Sequence, residues 1–162
     1  MRSPSWFPRR PGMTGMGLLL SACAGLILGL GVYTFAYGEG WSYLSNDPKV
    51  CANCHIMRDH LESWQKSSHH AAATCNDCHV PHDFLGKWLS KASNGFWHSK
   101  GFTLQDFHEP IRIHAGNAAI LQKNCMDCHA GLVHDITHLG SAGDASTGCV
   151  HCHPQVGHGP VR

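Results

Sequence analysis

A long apolar segment sets the N-terminal part of the chain apart from everything after it. No charged residue occurs from Gly12 to Gly38, and Met16 to Tyr37 consists mostly of Leu, Ile, Gly, Ala and Val. About 20 apolar residues are enough for a helix to cross a bilayer. The pattern therefore predicts a transmembrane anchor helix over residues 13–38.

Positive charge on one flank of this segment predicts its orientation. Arg2, Arg9 and Arg10 precede the apolar run, and no acidic residue accompanies them. Basic flanks stay on the cytoplasmic side. We therefore expect a single-pass protein of the cytoplasmic (inner) membrane, with residues 1–12 as a cytoplasmic tail and residues 39–162 in the periplasm.

Two other interpretations of the apolar segment stay open. Residues 34–36 (TFA) are a weak small-residue site for cleavage of a signal peptide, and residues 20–23 (LSAC) resemble a lipoprotein box. The apolar run is long for a signal peptide, and cleavage before Cys23 would leave an exposed apolar N-terminus. Both features favour the uncleaved anchor.

The polar part of the chain after Glu39 shows little regular periodicity. His60–Ser68 and Asp83–Trp97 have patterns compatible with short helices, and no alternation typical of strands is convincing. The predicted fold class is therefore all-α: a single N-terminal transmembrane helix followed by a small domain of short helices and loops.

Cysteine and histidine are unusually frequent. The chain has 9 Cys and 15 His, whereas its net charge of +1 gives no indication of nucleic-acid binding. Every cysteine except Cys23 belongs to one of four C-x-x-C pairs, each followed directly by His; we call these motifs 1 to 4. The pairs are Cys51 and Cys54, Cys75 and Cys78, Cys125 and Cys128, and Cys149 and Cys152, followed by His55, His79, His129 and His153.

C-x-x-C-H is the attachment motif of c-type haem. Two thiols bond to the haem, and the adjacent His becomes an axial ligand of the iron. Zinc knuckles or a disulfide scaffold would also use paired cysteines, but neither needs a His after every pair. We therefore predict four covalently bound haem c groups, whose macrocycles fill the core of a domain over residues 39–162.

The motifs form two similar halves. The separation between the first cysteines of motifs 1 and 2 equals that between motifs 3 and 4, and His60 and His134 occupy equivalent positions in the two halves. This pattern predicts a duplicated two-haem unit, which would stack haems close enough for electron transfer.

Four irons take up to eight axial ligands, so the surplus of histidine predicts bis-His coordination. The histidines outside the ligand position of each motif are His60, His69, His70, His82, His98, His108, His114, His134, His138, His151 and His158. Spacing alone does not select among them. Met57 is too near His55 in the chain to reach the opposite face of the same haem. It either competes with His55 for the iron or only packs.

The sequence resembles the NapC/NirT family of membrane-bound tetrahaem quinol dehydrogenases, and within it the small subunits of cytochrome c nitrite reductases. The resemblance covers nearly the whole chain and depends on the anchor and on the stretches CANCHIM (51–57), CNDCHVPH (75–82) and CVHCHPQVGH (149–158). It implies that Met57 is an axial ligand of haem 1. It also implies that His70 and His158 are distal ligands of other haems, in addition to the motif ligands.

The resemblance further implies a quinol pocket beside haem 1. Lys91 matches the lysine of that pocket, although a surface lysine contacting lipid headgroups remains an alternative. The pocket's acidic position falls on His98, which suits proton uptake near neutral pH. Asp106 is a weaker candidate for the same role.

The implied function is oxidation of menaquinol and transfer of its electrons to a periplasmic multihaem reductase. The expected partner is the catalytic subunit of cytochrome c nitrite reductase, in respiration of nitrite to ammonium. A related dehydrogenase serving another reductase and an anchored electron carrier without a quinol site stay open. Nitrite reduction by this chain itself is not expected, because the lysine-containing haem motif of such enzymes is absent.

Overall fold

A computed structural model describes residues 14–137 and 148–159 of the chain. These residues contain helices and no strand, which confirms the predicted all-α class. The α-helices are α1 (Gly15–Tyr37), α2 (Pro48–Cys51), α3 (Arg58–Gln65), α4 (Cys75–His79), α5 (Phe84–Leu104), α6 (Ala115–Cys128), α7 (Ala130–Thr137) and α8 (Cys149–Cys152). Two 3₁₀ turns occupy Gly40–Leu44 and His55–Met57.

Helix α1 is the predicted membrane anchor. It has 23 residues, a mean hydropathy of 2.0 in its most apolar window and no residue buried against protein. At 1.5 Å per residue it is about 35 Å long, which exceeds the hydrocarbon thickness of about 30 Å. Its length and composition therefore suit a membrane span. The predicted cytoplasmic tail over residues 1–12 lies outside the described residues.

Aromatic side chains lie at the C-terminal end of the anchor. Tyr33 stacks on Tyr37 with ring centroids 5.9 Å apart, and Phe35 meets Trp41 edge-on at 5.1 Å. Aromatic rings are enriched where a membrane meets water, which suits this end of the helix. The chain then divides into two compact units between Trp41 and Ser42.

Both helices that the sequence predicts after the anchor are present in the structure, although their bounds differ from the predicted ones. Helix α5 begins where predicted because the Asp83 carboxylate accepts a hydrogen bond from the Gly86 amide at 2.6 Å and caps the first turn. It continues beyond Trp97, since no proline interrupts the following residues. It ends at Leu104, because the C-cap residue Gln105 has a left-handed φ of 55° that stops the helix.

The second compact unit has almost no polypeptide core in its described part. Within residues 42–133 and 148–159, only Val80 and Asn124 are buried, at 6% and 4% exposure. Large apolar side chains such as Phe84 and Leu89 on α5 are 74% and 70% exposed. A fold with so little side-chain burial needs another source of apolar contact. The predicted haem macrocycles are suited to provide that contact.

Candidate functional site

The C-x-x-C-H motifs lie on short helical turns. Motif 2 coincides with α4, motif 3 ends α6 and motif 4 begins α8. Residues three apart in a helix lie on the same face. The two cysteines of each of these motifs therefore present their thiols to one side, as attachment to a single macrocycle requires.

A capping box sets the start of the motif 2 helix. The Thr74 amide and hydroxyl donate to the Asp77 carboxylate at 2.7 and 2.8 Å, and Thr74 is the N-cap of α4. The Thr74 side chain in turn accepts from the Asp77 amide, and these reciprocal bonds define a helix start. Asp77 therefore has a local structural role between the two cysteines of motif 2.

The cysteine arrangement fits haem better than zinc or a disulfide scaffold. All nine cysteines are free thiols. Among the side chains of residues 14–133 and 148–159, no group of three His, Cys, Asp or Glu converges as a metal ion would require. A Cys₄ zinc knuckle needs such convergence. Paired thiols that each precede a histidine, in a unit with almost no core, suit covalent haem.

Cysteines of successive motifs lie close to one another. The Cys75 thiol hydrogen-bonds to Cys51 and lowers the pKa of Cys51 to about 7. Burial raises the pKa of Cys125, and the nearby Cys149 and Cys78 raise it further. Motif 1 therefore adjoins motif 2, motif 2 adjoins motif 3, and motif 3 adjoins motif 4. Attachment sites in this order suit a linear electron relay.

His79 of motif 2 faces a histidine from the C-terminal end of the chain. The rings of His79 and His158 are nearly parallel, at 10°, with centroids 6.1 Å apart. When two imidazoles bind one metal from opposite sides, each metal–nitrogen bond is about 2.0–2.1 Å long. The centroids of the two rings are then about 6 Å apart. The separation of His79 and His158 is thus the separation expected for two axial ligands. Burial lowers the pKa of both imidazoles, which keeps them neutral as ligands must be.

His129 of motif 3 lies at a similar distance from His69, with the two rings nearly perpendicular. Their centroids are 6.0 Å apart and their planes meet at 76°. Nδ1 of His69 lies 3.0 Å from the carbonyl oxygen of Val156. Because a carbonyl only accepts, Nδ1 carries the proton and Nε2 keeps its lone pair, the tautomer that a metal ligand needs.

The neighbouring His70 is placed differently. It is exposed, and its ring meets Trp64 edge-on at 5.4 Å. The structure thus brings His69, rather than the sequence-predicted His70, to motif 3. Trp64 also donates from Nε1 to the carbonyl of Ala73 at 3.1 Å, which closes the loop that carries both histidines.

Comparison with known proteins identifies the family. Residues 13–115 match the N-terminal region of the NapC/NirT cytochrome c family. The chain belongs to the NapC/NirT cytochrome c family. The predicted resemblance is therefore confirmed, and covalently bound haem c is the cofactor that a member of this family carries.

Two known proteins are similar to this chain. The chain is 38% identical over 146 residues to the cytochrome c-type protein NrfH of Wolinella succinogenes, covering 85% of this chain and 82% of NrfH. It is also similar to a chain in the crystal structure of the cytochrome c nitrite reductase NrfHA complex bound to the HQNO inhibitor. That match has a TM-score of 0.59 and 30% identity, and covers 85% of this chain and 92% of the other.

In this NapC/NirT family member, Lys91 lies beside motif 1. Its Nζ donates to the carbonyl oxygens of Tyr43 at 2.9 Å and Ser45 at 2.6 Å. Burial and the charge of Lys87 lower the pKa of Lys91, whereas Cys51 of motif 1 acts in the opposite direction. The interaction with Cys51 shows that the ammonium group is near the first attachment site.

His98 lies seven residues after Lys91 on α5, about two turns away and on the same side of the helix. The residue is exposed overall, but its imidazole ring is partly buried by neighbouring atoms. This burial, and to a lesser extent the charge of His114, lowers the pKa of His98. It is therefore a neutral base at pH 7. Asp106 forms an ion pair with Lys100, which lowers the pKa of Asp106. That pairing makes Asp106 a poor acceptor for a proton.

Met57 and His55 share one 3₁₀ turn, His55–Met57. A rise of about 2 Å per residue keeps Met57 within about 4 Å of His55 along the turn axis. Met57 is half-buried and His55 is exposed. This closeness agrees with the expectation that Met57 does not reach the haem face opposite His55. His153 of motif 4 contacts no other ring among the described residues, and residues 138–147, which precede motif 4, lie outside the described residues.

Two contacts at the candidate site could not be predicted from the sequence. The bond from His69 to Val156 joins residues 87 positions apart. Asn124, directly before motif 3, donates to the carbonyl oxygens of Cys78 and Val80 at 3.1 and 2.9 Å. Nothing in the local pattern distinguishes His69 from His70, or Asn124 from a surface asparagine.

Proposed function

We propose that this chain oxidises menaquinol and passes the electrons through four covalently bound haems to a periplasmic cytochrome c nitrite reductase catalytic subunit. The position of the Lys91 ammonium group, held by two carbonyls beside motif 1, is the observation that carries the proposal. The similarity to NrfH and to a chain of the NrfHA complex supports the choice of partner.

The haem ligands in this proposal follow from the ring pairs. His79 and His158 would hold haem 2, and His129 and His69 would hold haem 3. Met57 binds haem 1, as the family resemblance implies, and His153 binds haem 4. The sequence-derived assignment of His70 is the alternative to His69.

Lys91 is suited to hold the quinol. An ammonium group has three N–H donors, and two of those of Lys91 are engaged by Tyr43 and Ser45. The third is available to a quinol oxygen. Because the two carbonyls fix the side chain, little conformational entropy is lost when the quinol binds.

His98 is suited to accept a proton from the quinol. Its lowered pKa keeps the imidazole neutral near pH 7, and a neutral imidazole is a general base. Oxidation of one quinol releases two protons and two electrons. The protons leave to the outer compartment, and the electrons leave one at a time because a bound haem iron accepts one electron.

The orientation of the protein follows from the same proposal. Helix α1 anchors the chain in the cytoplasmic membrane with its N-terminus in the cytoplasm, since Arg2, Arg9 and Arg10 flank that end. The haem-bearing unit then lies in the periplasm. There the membrane-soluble quinol and the periplasmic reductase both have access to it.

Stopped-flow reduction of the full-length holoprotein by a menaquinol analogue tests the quinol site. Lys91→Gln should slow reduction about 10- to 100-fold, the loss typical of a hydrogen bond from a charged group. Lys87→Gln is the matched control, because Lys87 lies one turn earlier over the same Trp88 ring. Equal rates in all three proteins, with haem content unchanged, would exclude Lys91 from the site.

A further inference from the structure

We propose that residues 154–159, the C-terminal tail, support the distal ligands of two haems at once. The tail supplies His158 to haem 2 directly and holds His69 for haem 3 through the carbonyl of Val156. Release of His158 from its iron therefore alters haem 3 as well as haem 2. This inference rests on the axial ligands of the proposed function.

The contact between His69 and Val156 is the first observation that carries the proposal. Nδ1 of His69 donates to the Val156 carbonyl oxygen over 3.0 Å. The Ser68 hydroxyl lies 3.3 Å from the same nitrogen, but it belongs to an exposed residue and is free to rotate. The Val156 carbonyl is therefore the group that fixes the tautomer and the plane of the His69 ring.

The position of His158 is the second observation. It lies two residues after Val156, so the two are at most about 7 Å apart along the chain. The His158 ring faces His79 at 6.1 Å and meets His60 edge-on at 4.9 Å. Motif 4 ends immediately before the tail. The tail is thus held at one end by the attachment site of haem 4 and at the other by His158.

A short segment held at both ends cannot move at one residue alone. If His158 leaves its position, the carbonyl of Val156 is no longer held against His69. Hydrogen bonding to the outer nitrogen of a metal-bound imidazole makes that ligand a stronger electron donor. Loss of this bond should raise the midpoint potential of haem 3 and change the orientation of its distal ring.

Electron paramagnetic resonance and redox titration of the full-length holoprotein test the proposal. His69→Ala first identifies the haem 3 signal, which should change from low spin to high spin. In His158→Ala, the haem 2 signal should become high spin, and the haem 3 signal should shift its g values while its midpoint potential rises. His151→Ala is the control. His151 is exposed on α8, and among the described residues its ring does not pair with a motif histidine.

A second variant covers the case in which His158→Ala fails to assemble. Replacing residues 154–157 by Gly-Ser-Gly-Ser keeps His158 but loosens the Val156 carbonyl. The haem 3 signal should shift while haem 2 remains low spin. An unchanged haem 3 signal and potential in both tail variants would overturn the shared support. If His69→Ala leaves every low-spin signal intact, the ligand assignment itself is wrong and the tail proposal falls with it.

Discussion

The side-chain amide of Asn124 donates a 2.9 Å hydrogen bond to the carbonyl oxygen of Val80, and these two are the only buried residues in the described part of the chain. Asn124 immediately precedes motif 3, and Val80 immediately follows motif 2. A second bond reaches Cys78 at 3.1 Å. One side chain therefore joins the end of one attachment motif to the start of the next. It holds α4 against α6 where apolar packing is sparse.

Asn124→Leu should destabilise the haem-bearing unit. Leucine has similar volume but no donor, so the Val80 carbonyl would be left buried without a partner. Each such loss costs about 1–3 kcal/mol. Thermal unfolding followed by circular dichroism should show a lower midpoint.

Asn117→Leu is the matched control for Asn124→Leu. Asn117 donates to the side chain of Asn94 at 3.0 Å in a more accessible position, so its removal should cost less. If both leucine variants unfold at the same temperature, Asn124 has no special role in joining the two motifs.

His69→Ala and His70→Ala should differ sharply. His69 lies opposite His129, whereas His70 is exposed beside Trp64. Loss of His69 should convert one haem from low to high spin, and loss of His70 should leave the absorption and resonance spectra as in the wild type. The reverse outcome would favour the assignment that the family resemblance implies for His70.

Quinol oxidation should weaken at acidic pH. The folded-state pKa of His98 lies below the ordinary value of about 6.5. The imidazole therefore stays a neutral base at pH 7 and loses that capacity as the pH falls through its lowered pKa. The rate of reduction by quinol should fall in the same range, and at pH 7 His98→Gln should lose about 100-fold, as removal of a general base typically does.

A soluble one-electron donor provides the control for the pH experiment. It releases no proton to His98, so its reaction should keep its rate over the same pH range in both proteins. If the His98→Gln variant retains the wild-type pH profile with quinol, the proton acceptor is another group.

Competition between Met57 and His55 can be observed directly. Met57→Leu should abolish any absorption due to a thioether–iron bond, while His55→Ala should preserve it. Because both side chains lie on one 3₁₀ turn, the iron has only one of them on that face. A Met57→Leu spectrum identical to that of the wild type would show that Met57 only packs.

The anchor and the attachment sites could be predicted from the sequence because each depends on local pattern. A charge-free run predicts α1, and C-x-x-C-H predicts paired thiols wherever it occurs. Helix α5 was predicted only as far as Trp97, because its later turns mix glycine and polar residues whose helicity depends on context. Helix α6 escaped prediction because its apolar positions are few and it ends in motif 3.

The partner of each motif histidine could not be predicted from pattern. Whether His69 or His70 points towards His129 depends on the loop closed by Trp64 and on a carbonyl from the far end of the chain. Adjacent residues in a loop carry no periodic signal. The same holds for Lys91, whose position depends on two backbone carbonyls that any residue could supply.

Menaquinol-dependent nitrite reduction in liposomes tests the central claim most directly. The full-length holoprotein would be reconstituted with a menaquinol pool and the cytochrome c nitrite reductase catalytic subunit, and nitrite consumption would be measured. We expect consumption to require this chain, the quinol and the catalytic subunit together, and to fall with Lys91→Gln but not with Lys87→Gln. If a soluble donor drives nitrite consumption through the chain while menaquinol does not, the protein is an anchored electron carrier and not a quinol dehydrogenase.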